Sequence, residues 1–241
     1  MGVQVVAKGV DAEQYAVEYA PPVRRGLEGI FFTNTSLEKA ARNYAAGKSA
    51  GSIVGAPVVN DAYITCKGMT NFIQTNILET ESLTMLVIAK SSALGGSPDE
   101  IPLVCGSYGS GALSGACMYM PVPDRLSGTG GFGNDDASNA NVTASISPTP
   151  TSKWGLYSVQ VSPAGVTTKG HTSGLTNTFT QTVPRRLAGR TMRIGSGYSN
   201  SQKGTVDIAM FQHYSVLLTA DELAKTVADI RAYAARRGIL V

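Results

Sequence analysis

Gly204-Thr-Val-Asp-Ile-Ala-Met-Phe-Gln-His-Tyr-Ser-Val-Leu-Leu-Thr-Ala-Asp-Glu-Leu223 decides the fold, because within it an extended segment turns directly into the best-specified helix of the chain. Residues 204–214 have the β-branched and aromatic content of a strand, with Val206, Ile208 and Met210 on one face at period two. Asp207, Gln212 and His213 interrupt the apolar pattern, so part of this strand is expected to meet water. Thr219 and Glu222 form a capping box, each side chain satisfying a backbone N–H left open at the first turn, and Leu218 is placed to staple onto Leu223. Leu223, Val227, Ile230 and Ala234 recur at i, i+4, i+7 and i+11 as an apolar stripe, while Lys225, Asp229, Arg231 and Arg236 take other faces. Asp221 lies at the positive end of the helix dipole, Arg236 and Arg237 at the negative end, and Gly238 suits a left-handed cap.

Upstream, the same alternation predicts strands over 27–34, 52–59, 62–67, 71–75, 82–90, 101–106 and 116–121, then 140–147, 154–162, 165–171, 179–182 and 191–195. Ser82-Leu-Thr-Met-Leu-Val-Ile-Ala-Lys90 is continuously apolar at its centre and must be buried on both faces. Thr35 and Glu38 offer a second capping box before an Ala-rich stretch ending at Gly47, which predicts a short helix at most. Residues 122–141, rich in Gly, Ser, Asn and Asp, read as a long polar loop between the halves. Residues 1–25 read as an N-terminal arm: Val3–Val6 is strand-like, 11–20 is ambiguous between helix and strand, and Pro21-Pro22 forces an extended stop. Tyr15, Val17 and Tyr19 would expose apolar area there, so the arm is expected to dock on a partner or sister subunit.

Many short strands, abundant glycine and a charged fraction of only 15% suit one all-β domain over residues 26–241 better than a helical bundle. A net charge of +3 with scattered Lys and Arg makes no nucleic-acid footprint. No run is long enough to span a bilayer and no signal peptide is visible, so no membrane insertion is expected. Cys66, Cys105 and Cys117 have no C-x-x-C spacing and read as buried thiols, with a Cys105–Cys117 bridge across a hairpin left open.

The run from Asp207 to Leu223 resembles the closing motif of concanavalin A-like (laminin G-like) jelly-roll domains. That motif is a strand of the form D-I-A-x-V-x-V-Y, then L-T/S-x-x-E-I and a final helix. Met210 stands here where Glu is frequent and His213 where an aliphatic is usual. Together with Gly47-Lys-Ser-Ala-Gly-Ser-Ile-Val-Gly-Ala-Pro57, Phe72-Ile-Gln-Thr-Asn-Ile-Leu-Glu-Thr80 and the strand order, the chain is similar to jelly-roll modules of bacteriophage tail and receptor-binding proteins. The resemblance implies an antiparallel jelly-roll β-sandwich with a C-terminal helix and an N-terminal arm. It also implies a non-catalytic virion component recognising cell-surface glycan, made in the host cytoplasm and assembled as a homo-oligomer, a trimer by analogy. Other virion proteins would be held through residues 1–25. A purely structural decoration, cement or baseplate protein without a ligand pocket is the alternative, and a glycan hydrolase a third.

Retaining glycosidases need two carboxylates about 5 Å apart, which hydrolases of this fold supply through an E-x-D-x-x-E or E-x-D-x-E strand. Asp207 is followed by Ile208, Ala209 and Met210, and Glu79 with Glu81 lacks a third acid. His171 and His213 have no nucleophile beside them, and each reads as a solvated or hydrogen-bonded strand residue. The chain is therefore read as non-enzymatic. Gly128-Thr-Gly-Gly-Phe-Gly133 lacks the Lys-Ser/Thr of a phosphate loop, and its glycines read as turn flexibility. Asn134, Asp135, Asp136, Asn139 and Asn141 are hard oxygen ligands suited to Ca²⁺, but they fit no defined calcium loop and suit Asx turns equally; no cofactor is required. Sugar recognition needs an aromatic face and planar polar groups, for which the candidates are Tyr108, Asp124, Arg125, Asn134, Asp135, Trp154, Tyr198 and Asn200.

Overall fold

Two antiparallel sheets stack face to face in the computed structural model, which describes residues 15–92, 97, 99–110 and 113–241. The strand-like reading of Val3–Val6, and that of residues 11–14, lie outside the described residues. The elements in chain order are β1 (Leu27–Phe32), α1 (Leu37–Ala41), β2 (Ser52–Val54), β3 (Val58–Val59), β4 (Ile64–Lys67), β5 (Phe72–Leu78), β6 (Leu83–Lys90), β7 (Leu103–Gly106), β8 (Cys117–Val122), β9 (Arg125–Phe132), β10 (Ala140–Ile146), β11 (Gly155–Ser162), β12 (Gly165–Gly170), β13 (Thr176–Thr180), β14 (Thr191–Ile194), β15 (Thr205–Tyr214) and α2 (Ala220–Arg236). One sheet runs β13-β12-β11-β6-β15-β4-β3 with β1 also on β15; the other runs β10-β9-β8-β7-β14-β5-β2. The architecture is an antiparallel jelly-roll sandwich closed by a C-terminal helix.

Two apolar layers hold it. Ile73, Leu83, Met85, Val87, Met118, Phe132, Val159 and Phe211 pack between the sheets. Leu86, Ile88, Met210 and Tyr214, on the outer face of the eight-stranded sheet, pack under Leu223, Val227, Ile230, Tyr233 and Ala234 of α2. The alternate burial of β6 into both layers is why its sequence is apolar throughout. The α2 stripe and the Thr219–Glu222 capping box form as the sequence predicts, and Gly238 takes φ +70°.

Four expectations change. β15 carries a bulge between Ile208 and Met210, which inserts one residue and reverses the alternation: Val206, Ile208 and Phe211 face the sheets, while Met210 faces the helix. Gln212 and His213 are fully buried rather than wet, because β6 covers one edge of this half of β15 and β1 the other, with Gln212 on the α2 side and His213 turned with Phe211 toward the facing sheet. His213 is also neither solvated nor hydrogen-bonded, since no protein atom partners either ring nitrogen. Most of the expected loop at 122–141 is β9, leaving only 133–139 between strands. Its glycines serve close approach, as a Cβ on Gly130 would stand 2.7 Å from Val161 Cγ1 of the facing sheet.

Smaller differences follow the same logic. The predicted strand over 52–59 divides at Gly55, β2 joining one sheet and β3 the other. The α1 cap is Ser36 rather than Thr35, its hydroxyl accepting from Lys39 N. All three cysteines are free and buried, so Cys105 and Cys117 do not pair. Tyr19 belongs to the chain's own packing: its ring meets Phe32 edge-on at 5.4 Å, its N–H donates to Tyr44 O, and its hydroxyl donates to Asp229 Oδ1 at 2.7 Å. Tyr15 and Val17 remain exposed.

Candidate functional site

Antiparallel pairing of β11 with β6 sets Gly155 opposite Ala89 and so brings Trp154 beside Lys90, which ends the apolar run of β6. The Lys90 ammonium lies 4.9 Å from the Trp154 ring centroid and 5.4 Å from that of Tyr63, and those two rings meet edge-on at 5.2 Å. Asp207 Oδ2 is 3.7 Å from Lys90 Nζ, and Asp207 Oδ1 accepts a hydrogen bond from Thr65 at 2.6 Å. Lys90 is thus held from three sides at the end of its strand.

The β10–β11 connection forms the next wall. Thr149 N donates to Asp124 O, Thr151 N and Oγ1 donate to Pro123 O, and Ser91 N donates to Thr151 O, which fixes this loop against the β8–β9 turn and the end of β6. Thr172 and Ser173, following β12, close the opposite side, with Thr172 Oγ1 accepting from Leu156 N. Gly238 and Leu240, past the helix, complete a cleft of about 580 Å³. Its walls combine Trp154 and Tyr157 with four hydroxyl residues and the ammonium groups of Lys90 and Lys153. Among the described residues no carboxylate lines it, so it holds no acid–base pair; its chemistry is apolar contact, hydroxyl hydrogen bonding and positive charge.

The structure scatters the residues selected from the sequence. Trp154 alone lines this cleft; Asp124 contributes behind its wall through the backbone, its carboxylate accepting from Ser147 Oγ at 3.4 Å. Arg125 is exposed at the start of β9, whereas Asn134 and Asp135 follow its other end, about 23 Å away along an eight-residue strand. Tyr108 and Tyr198 meet on the outer face of the seven-stranded sheet, where Tyr198 N donates to Tyr108 O and Asn141 Nδ2 to the Tyr108 hydroxyl. The Tyr198 ring carries two cations, the Arg193 guanidinium 3.6 Å from its centroid and that of Arg190 at 5.5 Å, where Trp154 carries the single Lys90 ammonium. Asn200 is exposed two residues on. Lys90, Tyr63, Tyr157 and Lys153 were missed; the available signal was the charge ending an apolar strand, but its partner is distant in sequence.

Other candidate chemistry is internally satisfied. Asp135 accepts from Ser138 N, and these hydrogen bonds hold its carboxyl below the usual range; Asp136 pairs with Arg186. Among the described residues no group of three or more His, Cys, Asp or Glu could hold a metal. Glu79 is fully buried against Arg185 and accepts from Ser107 Oγ and Ala188 N, a structural ion pair rather than a catalytic acid. His171 shares a hydrogen bond with Ser158 at 2.9 Å, and burial, with Lys169 and Arg231 near, pushes its pKa down to about 4. No helix among the described residues is long and apolar enough to cross a membrane.

The molecule is thus an antiparallel sandwich with a walled cleft beside its covering helix, and among the described residues no carboxylate lines that cleft. No protein-family model and no curated protein matches the sequence. Solved structures match in fold. The botulinum neurotoxin serotype D binding domain superposes with a TM-score of 0.59 at 11% identity, over 86% of this chain and 52% of that one. The binding domain of botulinum neurotoxin DC in complex with SialylT gives 0.58 at 11%, over 84% and 50%; the same domain in complex with rat synaptotagmin II gives 0.56 at 11%, over 84% and 51%. The chain spans about half the length of these solved chains, and at such identity the likeness establishes the fold.

Proposed function

We propose that this chain is a non-catalytic module that recognises cell-surface glycan through the cleft between Lys90, Trp154 and Thr172. The observation that carries the reading is the composition of those walls: the partly exposed Trp154 indole for the apolar side of a sugar ring, and hydroxyls for its polar edge, with the buried Tyr157 beneath. The absence of any facing carboxylate pair among the described residues, and neighbours that are themselves binding domains, one in complex with SialylT, support recognition over cleavage. The strand order and closing motif support the finer setting: a bacteriophage tail or receptor-binding component, displayed on the virion as a homo-oligomer and attached to other virion proteins through residues 1–25.

A glycan array with the intact chain tests the reading. Specific binding that Trp154→Ala abolishes is expected; a blank array, or binding untouched by that substitution, refutes it. The structural virion reading draws on exposed Tyr15 and Val17, which suit attachment. Removal of residues 1–17 then leaves a folded domain that no longer assembles in light scattering, and an unchanged oligomer refutes the attachment role.

A further inference from the structure

We infer that the saccharide taken by the Trp154 cleft is an acidic one, its negative group held by Lys90 with Lys153 at the rim; this rests on the glycan reading above. Two ammonium groups line the cleft and, among the described residues, no carboxylate does. Among the described residues the one acid in contact with Lys90 is Asp207, which is not among the walls, and the 3.7 Å separation is longer than a charge-assisted hydrogen bond. One Asp207 oxygen is already committed to Thr65. An ammonium has three donors, so this loose ion contact leaves Lys90 able to donate to a ligand. Its position is fixed beforehand by the faces of Tyr63 and Trp154 and by its place at the end of a paired strand, so little side-chain freedom is lost on binding.

Charge balance points the same way. At 3.7 Å Asp207 offsets Lys90 only in part, and among the described residues no acid pairs with Lys153, so the partly enclosed space carries net positive charge. A neutral sugar would leave that charge unused, whereas a carboxylate or sulfate ester on the ring neutralises it while the hydroxyls of Thr172, Ser173 and Ser152 remain for the neutral positions. The shared requirement is one anionic substituent on a pyranose whose other face is apolar enough to meet the aromatic wall.

The experiment is calorimetric titration of the intact chain with a panel of neutral oligosaccharides and their carboxylate- and sulfate-bearing counterparts of identical backbone. Charged members are expected to bind roughly tenfold tighter than neutral ones, with the advantage shrinking as salt rises to about 0.5 M. The better of the two charged arms identifies the group. Lys90→Met and Lys153→Gln each shrink the charged-to-neutral affinity ratio several-fold, whatever either does to neutral affinity; should Lys90→Met melt early, the exposed Lys153→Gln decides alone. Equal affinity for charged and neutral members, or an advantage indifferent to Lys153→Gln, overturns the inference and leaves the glycan reading standing. Binding to no member overturns both.

Discussion

His213→Leu should make this protein more stable, and increasingly so in acid. The imidazole is fully buried beside Phe211, strand-paired between Gly29 of β1 and Met85 of β6, and no protein atom hydrogen-bonds either nitrogen. Burying a polar group without a partner costs about 1–3 kcal/mol, so an aliphatic side chain in the same space recovers on the order of 1–2 kcal/mol after imperfect packing. For a domain of this size that raises Tm by roughly 2–6 °C at neutral pH. Burial also drives the His213 pKa down from 6.5 to about 3. The unfolded chain therefore takes up a proton below pH 6.5 that the folded chain refuses until near pH 3, so the wild-type protein loses stability as pH falls through this window. The slope approaches ~1.4 kcal/mol per pH unit once the unfolded imidazole is fully protonated, or about 3 kcal/mol between pH 6.5 and about pH 4. The variant lacks this term, while His171, whose pKa is also depressed, acts in the same sense in both proteins. Urea melts of both chains across this range measure the gap. A variant less stable at pH 7, or a gap that stays constant on acidification, refutes the account of an unpartnered ring.

Three further outcomes are expected. Arg185→Met leaves Glu79 buried without its counter-charge and should cost about 3–5 kcal/mol in urea unfolding, whereas Glu79→Leu with Arg185→Met regains part of that loss. Recovery is incomplete because Ser107 Oγ and Ala188 N both donate to Glu79; single and double variants of equal stability would deny the coupling. Thr219→Ala removes the capping-box acceptor for Glu222 N and should lower stability by about 1 kcal/mol, read as a Tm drop of roughly 2–4 °C; an unchanged melt would show that α2 holds by packing alone. Gly128→Val sets a Cβ 2.5 Å from Val159 Cγ2 across the sandwich and should cost at least about 1–3 kcal/mol in thermal melts, and neutrality there would mean the sheets yield.

What was legible in the sequence is what short-range physics determines. The α2 stripe, its cap at Thr219 and the doubly buried β6 depend on residues within a turn or a strand of one another, and they hold. The bulge in β15 was invisible because one inserted residue leaves composition unchanged while moving Met210 from one core to the other. β9 reads as loop in the sequence because glycine signals a turn when judged locally; in the fold Gly128 and Gly130 answer to Val159 and Val161 on the facing sheet, some 30 residues away. The site suffered the same blindness. The ring of Trp154 is visible in the sequence, but Lys90 and Tyr63 join it only through the β6–β11 and β4–β15 pairings.

These pairings also explain why the cleft lies where it does. β15 is the longest strand, and its outer edge is divided: β1 pairs residues from Met210 onward, β4 those up to Ile208. α2 packs on the β1 half, where Met210 and Tyr214 share one apolar layer with Ile230 and Tyr233. On the other half, Asp207 pairs opposite Thr65 on one side and Lys90 on the other, which places one acid between a hydroxyl and an ammonium at the end of β6. The bulge at the junction of the halves commits Ile208 to the inter-sheet core and Met210 to the helix, so the apolar demand of the strand is met on both sides. Tyr63 and Trp154 pack only partly against the helix-side layer at this sheet end, with Lys90 against both rings, and Gly238 and Leu240 past the helix line the cleft beside them. A cationic, aromatic cleft is the consequence of a helix that ends before the sheet beneath it does.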